Sequence, residues 1–336
     1  MSRVENMLRR VDPATQVGIE IGPLDKPIVE RGDGTVYYVD QASAQDLAST
    51  YKEDRAVDID RIVDVDFIWG QASLAELLGE VAPLDYIMAS HVIEHVPDLV
   101  GWLCEAAAVL NTGGILALAV PDKRLTFDYL RGESTTSEVI GAYLDRPRRP
   151  SARQVFAHFS LAVELDVAVA WSAPIPANSL RPIHTTDAAL DWARKAANGD
   201  YVDVHCWVFT PTSFVARIRE LVDTGLLDFS IAELTPTATN ELEFYVSLEK
   251  LAPDIAAEDK RRIQLTGLKA AEESIANWPH VPARAESAEE LLERLDAQAD
   301  ALNEAELRIE MLTASTSWRV TAPLRFMGRA LQRFRK

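Results

Sequence analysis

Cysteine and long hydrophobic runs are both scarce in this sequence. Its 336 residues include two cysteines, Cys104 and Cys206, and no CxxC pair. This excludes a disulfide-rich scaffold or a cysteine-rich zinc cluster and fits a reducing cytosol. The longest apolar stretches, such as residues 115–120, fall far short of the roughly 18 residues that a membrane span requires. No apolar core of a secretory signal precedes residue 17, so we expect a cytoplasmic protein.

Positive charge is also scarce, except near the C-terminus. The net charge is −18, which weighs against a nucleic-acid partner because phosphates would be repelled by most of the surface. Residues 315–336 reverse the pattern, with six cations and no acid. An acidic body with a basic end predicts two different kinds of partner. Apolar residues make up 48% of the chain, enough to build a core and to exclude wholesale disorder.

Short apolar segments alternate with helical patterns over the first 120 residues, which indicates an α/β fold with a parallel sheet. Two further strands follow a helix that begins at Thr210-Pro211, a good N-cap and first-turn pair, and we expect them to be antiparallel. The seven predicted strands cover residues 17–21, 35–39, 61–68, 84–89, 115–120, 229–234 and 242–248.

Between residues 122 and 204 five prolines interrupt a mostly helical pattern. A connection of this length between two strands usually has a function. We therefore expect residues 122–204 to be an insertion that binds an acceptor substrate. The predicted sheet domain covers residues 1–250, followed by a helical extension over 251–314. Within 287–313 apolar residues recur every seven positions, which predicts either a coiled coil that forms a homo-oligomer or one amphipathic helix packed on the body.

Ligands of open parallel sheets bind beyond the carboxyl ends of the strands. Glu20 and Asp40 lie at two such ends, twenty residues apart, the spacing at which a second acid can accept hydrogen bonds from a ribose diol. The first turn has Gly22 but lacks the other glycines of the G-x-G-x-x-G motif that a pyrophosphate needs. A cationic nucleoside without phosphates fits this acidic edge better, and S-adenosylmethionine matches that description.

Four segments together carry a family resemblance. Val17-Gly-Ile-Glu-Ile-Gly22, Tyr38-Val-Asp40, residues 89–98 (ASHVIEHVPD) and residues 109–122 (VLNTGGILALAVPD) resemble motifs of the class I S-adenosylmethionine-dependent methyltransferases. The resemblance covers residues 15–125 and 205–250. It implies a Rossmann-like seven-stranded sheet in the order 3-2-1-4-5-7-6, with the seventh strand antiparallel.

The resemblance also implies a role for residues at each strand end. Gly22 would let the methionine part of the cofactor approach the backbone, and Glu20 would orient its amino group. Asp40 would hold the ribose hydroxyls.

Four further cofactor-binding residues follow from the third and fourth strands. Asp66 and Phe67 would flank the adenine, although Asp60 and Asp64 compete with Asp66 for this role. Ser90 and His91 would line the wall beneath the sulfonium.

Methyl transfer from a sulfonium is an in-line displacement, so positioning of the reactants carries most of the rate. A hydroxyl acceptor would be helped by a base, for which histidine is the usual choice near pH 7. We predict His158, His205 and His95 as the catalytic candidates, with His91 and His184 as further histidines in the same regions. Asp122 and Asp128 are candidates for binding sugar hydroxyls. No His/Cys/Asp spacing predicts a metal site, and a loosely bound divalent ion is the open alternative.

The C-terminal residues give a second resemblance. Residues 315–325 (STSWRVTAPLR) resemble a C-terminal segment of bacterial enzymes of cell-surface polysaccharide assembly, glycosyltransferases especially. Aromatic and aliphatic residues alternate with the six cations, which predicts binding to the inner face of the cell membrane or to a glycosyltransferase. The alternative is a solvated basic helix end.

The sequence thus predicts a methyltransferase that O-methylates a sugar of a cell-surface polysaccharide or its precursor. One alternative is a catalytically inactive methyltransferase fold that serves as a scaffold in a polysaccharide-assembly complex. The other is an NAD-dependent sugar-modifying enzyme, which the sequence disfavours because it lacks the three-glycine turn and a Tyr-x-x-x-Lys pair.

Overall fold

The computed structural model describes residues 2–54, 56–70 and 72–281 of the chain. The heptad segment 287–313 and the basic tail 315–336 lie outside these residues, so the coiled coil and the tail partners stay predictions. Within the described part, no helix is both long and apolar enough to cross a membrane.

Seven strands form one central sheet in the order β3-β2-β1-β4-β5-β9-β8. Strands β1 to β5 pair in parallel, and β9 runs antiparallel to both β5 and β8. Strands β8 and β9 are the sixth and seventh predicted strands, so the predicted order 3-2-1-4-5-7-6 is confirmed. In the described part of the chain, the nine strands are β1 Val17–Ile21, β2 Thr35–Asp40, β3 Phe67–Ile68, β4 Leu84–Ser90, β5 Leu110–Pro121, β6 Val163–Glu164, β7 Arg181–Pro182, β8 Phe229–Thr235 and β9 Glu243–Lys250.

Helices cover both faces of the sheet and build most of the segment between β5 and β8. The strands β6 and β7 form a separate two-stranded hairpin in that segment, where α6 packs against α8. Among the residues that the structure describes, the ten α-helices are α1 Arg3–Met7, α2 Ala44–Thr50, α3 Leu74–Leu78, α4 Leu99–Val109, α5 Thr136–Asp145, α6 Ala152–Leu161, α7 Val167–Ser172, α8 Thr186–Ala197, α9 Pro211–Thr224 and α10 Ala257–Ala276.

Local sequence explains why several elements form where they do. The run from Ile115 to Val120 is buried throughout, as expected for a central strand with helices on both faces. Helix α9 begins as predicted, with Thr210 accepting a hydrogen bond from the Ser213 backbone N–H and Pro211 in the first turn. The core has a large cluster on one face of the sheet, around α4 and α9, and a smaller one on the other, around α1.

Two predicted boundaries were wrong. The third strand is two residues long, Phe67–Ile68, instead of spanning 61–68. The fifth strand, β5, starts at Leu110 instead of residue 115, directly after helix α4 ends at Val109, so Gly113 and Gly114 lie inside the strand. Gly113 has a φ of 80°, a conformation that glycine adopts readily, and the irregular pairing of β4 with β5 occurs beside it.

Candidate functional site

A cavity of about 860 Å³ opens at the carboxyl ends of the parallel strands. Its floor comes from the residues that follow β1, β2, β3 and β4, and its outer walls come from the start of α4 and from loops at residues 146–149 and 201–203. This is the edge where ligands of such sheets bind, and the volume lies in the range of roughly 300–1,000 Å³ that is usual for ligand pockets.

Gly22 and Asp40, two of the predicted cofactor-binding residues, both line this cavity. Gly22 has a φ of 67°, and a Cβ there would lie 3.4 Å from Val92 Cγ2, so a side chain would be strained and would narrow the floor. Asp40 ends β2, and its Oδ1 accepts the Gln41 backbone N–H at 2.7 Å. Burial raises the pKa of Asp40, and the Gln41 hydrogen bond opposes this only in part.

Glu20 does not reach the cavity. Its buried carboxylate accepts backbone hydrogen bonds from Ile28 at 2.7 and 2.9 Å and from Val29 at 3.1 Å. Burial raises the pKa of Glu20 to about 7 despite these two donors. The structure therefore corrects the expected contact with a methionine amino group: Glu20 holds the loop after β1 in place, and its neighbours Ile21 and Gly22 line the cavity.

Asp66 and Phe67 are also displaced from their expected position. Asp66 Oδ2 accepts the Tyr38 backbone N–H at 2.7 Å and pairs with Arg31 at 2.7 Å, outside the cavity. Pairing of β3 with β2 sets Phe67 opposite Val39, so Phe67 lies within the strand, which ends at Ile68 as predicted. The residues after Ile68, Trp69 and Gly70, line the cavity instead, and the predicted strand end at residue 68 would have identified them.

Ser90 and His91, two more of the predicted cofactor-binding residues, lie on the cavity wall. His91 has a φ of 55°, which is unusual for a residue with a side chain. Its Nε2 donates to Glu243 Oε2 at 2.5 Å, and its Nδ1 lies 3.5 Å from Glu94 Oε1. His91 is thus held between two buried carboxyl groups.

Glu243 holds this wall in place through hydrogen bonds to its carboxylate, which depend on pH. It accepts hydrogen bonds from His91, from Arg3 Nε at 2.8 Å and from the Tyr245 hydroxyl at 2.6 Å. Burial alone would raise the pKa of Glu243, but these three donors outweigh it and lower the pKa to about 2. A carboxyl group whose pKa is lowered by folding stabilises the fold above its unfolded pKa and loses that contribution as the pH falls.

We expect Glu243 to contribute about 3 kcal/mol to the free energy of unfolding above pH 4.5, lost progressively between pH 4.5 and about 2. The Glu243→Gln variant should therefore show a flatter dependence of this free energy on pH, measured by urea unfolding at successive pH values. Glu249→Gln on the same strand is the control, because that side chain is 40% exposed. Equal pH dependence of wild type and Glu243→Gln would contradict the assignment.

The three predicted catalytic histidines converge beside the cavity. His95 follows β4, His158 lies on α6 and His205 precedes α9. The ring centroids of His95 and His205 are 4.8 Å apart, and those of His158 and His205 are 5.6 Å apart. The Phe127 ring packs against both His158 and His205. Of the three histidines, His95 lines the cavity itself.

Two of these imidazoles are each held by a carboxylate. His205 Nδ1 donates to Asp128 Oδ2 at 2.5 Å, and Asp128 Oδ1 also accepts from Arg131 at 2.7 Å. His95 Nδ1 donates to Asp203 Oδ1 at 2.9 Å. Burial lowers the pKa of His95, but the hydrogen bond to Asp203 and the surrounding carboxylates outweigh it and raise the pKa overall. Neither Nε2 atom has a hydrogen-bond partner among the described residues.

His158 has a different environment. Its Nδ1 accepts the backbone N–H of His205 at 3.2 Å. Burial, reinforced by the charge of His205, lowers the pKa of His158 to about 3. His158 therefore stays neutral at physiological pH and is a weak base, so its role is to position the segment that carries His205.

Glu94 lies at the centre of this group. It is fully buried, and neither carboxylate oxygen has a hydrogen-bond partner within the described part of the chain. Its Oε1 is 3.5 Å from His91 Nδ1 and 4.0 Å from His95 Nε2. We call Glu94, His95, Asp128, Asp203 and His205 the histidine–carboxylate cluster.

Sequence reasoning missed part of this cluster. Asp203 was not predicted, and its only signal is its position two residues before His205. Asp128 was expected to bind sugar hydroxyls, but it is buried and orients His205. The same expectation fails for Asp122, which is fully buried and hydrogen-bonded to Arg124 and Thr237.

Residues 15–118 match the family described as "Methyltransferase domain". The comparison with curated protein sequences gives no match.

Similar solved structures include a proposed Zn-dependent alcohol dehydrogenase from Rhodobacter sphaeroides, with 14% identity, 74% of this chain and 89% of that chain covered, and a TM-score of 0.41. The CcbJ methyltransferase from Streptomyces caelestis is 9% identical to this chain. The match covers 74% of this chain and 89% of that chain, with a TM-score of 0.38. A SAM-dependent methyltransferase from Methanosarcina mazei is 14% identical to this chain. The match covers 71% of this chain and 93% of that chain, with a TM-score of 0.37. Similarity at this level carries no argument about activity.

Proposed function

We propose that this protein, which contains an S-adenosylmethionine-dependent methyltransferase domain at residues 15–118, methylates a hydroxyl group on a sugar of a cell-surface glycan or its precursor. The observation that supports a hydroxyl acceptor is the convergence of His95, His205 and three carboxylates beside the cavity. A hydroxyl is a poor nucleophile until its proton is removed, and such a cluster supplies the groups that remove it.

The cofactor is S-adenosylmethionine, as the family match indicates, and the residues of the cavity fit it. Gly22 leaves the floor open where the methionine part would approach the backbone. Asp40 would hold the ribose hydroxyls, with Trp69 and Gly70 beside the adenine and Ser90 and His91 beneath the sulfonium.

The chain's own residues would prepare the acceptor for transfer. When bound, the cofactor supplies a methyl group on sulfur: the oxygen–carbon bond forms as the carbon–sulfur bond breaks, and sulfur keeps the electron pair. His95 reaches the cavity wall, so the acceptor hydroxyl would meet the histidine–carboxylate cluster there. Asp203 and Asp128 each fix the imidazole tautomer that leaves Nε2 free to face the acceptor.

The sugar acceptor is supported by two features of the chain. Tyr51 and Tyr201 line the cavity, and such rings offer an apolar face together with a polar hydroxyl for ligands of mixed polarity. Residues 315–325 resemble the C-terminal segment of polysaccharide-assembly enzymes. We place the protein in the cytoplasm, bound through residues 315–336 to the membrane surface or to a glycosyltransferase, and self-associated through residues 287–313.

Mass spectrometry of surface glycans from cells with and without the gene tests this proposal. We expect one sugar to lose a methyl-sized mass increment in the deletion, and wild-type protein but not the Asp40→Ala variant to restore it. An unchanged set of glycan masses in the deletion strain would overturn the sugar acceptor.

An inactive scaffold is the second candidate, favoured by the loop after β1. Pro23 and Leu24 follow Gly22 in place of a second glycine, and Leu24 has a φ of 49°, so the loop path differs from a glycine-rich turn. Calorimetric titration separates the two candidates: binding of S-adenosylmethionine supports the enzyme, and no binding supports the scaffold.

A further inference from the structure

We propose that Glu94, His95 and His205 bind a divalent transition-metal ion. Each offers one ligand atom, and these three atoms lie within 4.8 Å of one another. Ligand atoms bonded to such an ion at about 2.0–2.2 Å lie closer together than this, so binding closes the site by rotation of the side chains. His95 comes from the loop after β4, and His205 from the segment before α9, so the ion would join the sheet to the insertion.

The state of Glu94 is the observation that points to a ligand. A carboxyl group that is fully buried and has no hydrogen-bond partner among the described residues is costly unless it is paired or binds a metal. The neighbouring side chains do not satisfy it, because His91 Nδ1 at 3.5 Å and His95 Nε2 at 4.0 Å approach Oε1 without forming a hydrogen bond. A cation bonded to Glu94 and to the two imidazoles would pair with the buried carboxylate and use the lone pair of each ring.

The surroundings of the two histidines match those of metal ligands. Ligating histidines almost always donate their second ring nitrogen to a carboxylate or carbonyl, which fixes the tautomer and raises ligand basicity. Asp203 holds His95 Nδ1 at 2.9 Å and Asp128 holds His205 Nδ1 at 2.5 Å. Both imidazoles therefore direct their Nε2 lone pairs away from these carboxylates.

The donor set selects the class of metal. Two imidazole nitrogens and one carboxylate suit Zn²⁺, Fe²⁺, Co²⁺ or Mn²⁺, whereas Mg²⁺ and Ca²⁺ prefer oxygen ligands throughout. Three protein ligands leave at least one coordination position open, as in catalytic sites. Because His95 lines the cavity, that open position faces the space beside the cofactor site.

The role of the ion rests on the proposed function, although its binding does not. The acceptor hydroxyl oxygen would bind at the open position, where the ion lowers the pKa of the hydroxyl as it does for bound water. With the ion bound, the Nε2 atoms of His95 and His205 are its ligands and no longer act as bases, so the ion takes over activation of the hydroxyl from the free cluster and the proton passes to water in the cavity. The oxygen is left with the electron pair that attacks the methyl carbon.

Titration of the chelator-treated full chain with Co²⁺ and Zn²⁺ tests the site, with visible absorption and calorimetry as readouts. We expect one ion per chain, with absorption bands typical of a four- or five-coordinate Co²⁺ site. Glu94→Gln and His205→Ala should each weaken Zn²⁺ binding at least 10-fold, since loss even of an outer-shell partner costs about 10- to 100-fold. His280→Ala, which removes an exposed imidazole, and Glu241→Gln are the controls and should bind as wild type does.

Two results would overturn the metal site: wild-type protein that binds Co²⁺ and Zn²⁺ no more tightly than Glu94→Gln, or equal weakening by the His280→Ala control. Circular dichroism of Glu94→Gln identifies a folded variant, and this isosteric change removes the charge without leaving a void. The outcomes separate the two proposals. Methylated glycan without metal binding defeats the metal site alone, and metal binding without glycan methylation defeats the proposed function alone.

Discussion

Replacing Asp40 by alanine should weaken binding of S-adenosylmethionine about 100-fold, because each hydrogen bond to a charged group contributes about 1.5–3 kcal/mol. Asp40 is the acid that follows β2 and lines the cavity floor, where its free Oδ2 can accept from a ribose hydroxyl. The dissociation constant from calorimetric titration is the measurement. Because Asp40 is half-buried at a strand end and its side chain has one hydrogen bond among the described residues, from the adjacent Gln41 backbone N–H, the variant should keep the wild-type melting temperature.

Asp66→Asn is the matched control for this experiment. Asp66 and Asp40 are both acids near the ends of neighbouring strands, and the sequence assigned a cofactor contact to each. The structure turns Asp66 away, toward Arg31 and the Tyr38 backbone, so its replacement should leave the affinity unchanged. The placement of the cofactor in this cavity would be contradicted if both variants lost affinity equally, or if neither variant lost affinity.

The fold was predictable because its signals are local. Runs such as residues 115–120 are apolar throughout, and a central strand buried on both faces requires that. The start of α9 could be read from Thr210-Pro211 for a similar reason, since an N-cap acts within one turn. The third strand was placed wrongly because two paired residues carry too little pattern to fix a register.

The candidate site was predictable in part. Gly22, Asp40, Ser90 and His91 line the cavity because strand ends in a parallel sheet meet at one edge. Glu20 precedes Gly22 by two residues, but whether its carboxylate faces the cavity or is held by backbone donors depends on the loop after β1. No sequence spacing reveals that choice.

The histidine–carboxylate cluster depends on contacts between distant parts of the chain. Asp128 meets His205 across 77 residues, and His95 meets Asp203 across 108 residues. Histidines could be chosen as candidates by residue type and region, but their partners could not. Glu94 gained its significance only from its burial without a hydrogen-bond partner among the described residues.

Asp203→Asn should lower kcat for methyl transfer by about 10- to 100-fold, the usual cost of removing a carboxylate that orients a functional histidine. Asp203 holds His95 in the tautomer that leaves Nε2 free, and an asparagine can stabilise the opposite tautomer by donating to Nδ1. The substrate is surface glycan from the deletion strain, and the readout is the rate of S-adenosylhomocysteine formation.

The dissociation constant for S-adenosylmethionine should stay unchanged in Asp203→Asn, because Asp203 acts through His95 and not through the cofactor. This split between kcat and cofactor affinity separates a positioning role from a structural one, since local unfolding of the 201–203 wall would weaken both. Asp200→Asn, an exposed neighbour in the same loop, should retain the wild-type kcat. A wild-type kcat in Asp203→Asn would show that His95 does not depend on this carboxylate and would remove His95 from the mechanism proposed for this site.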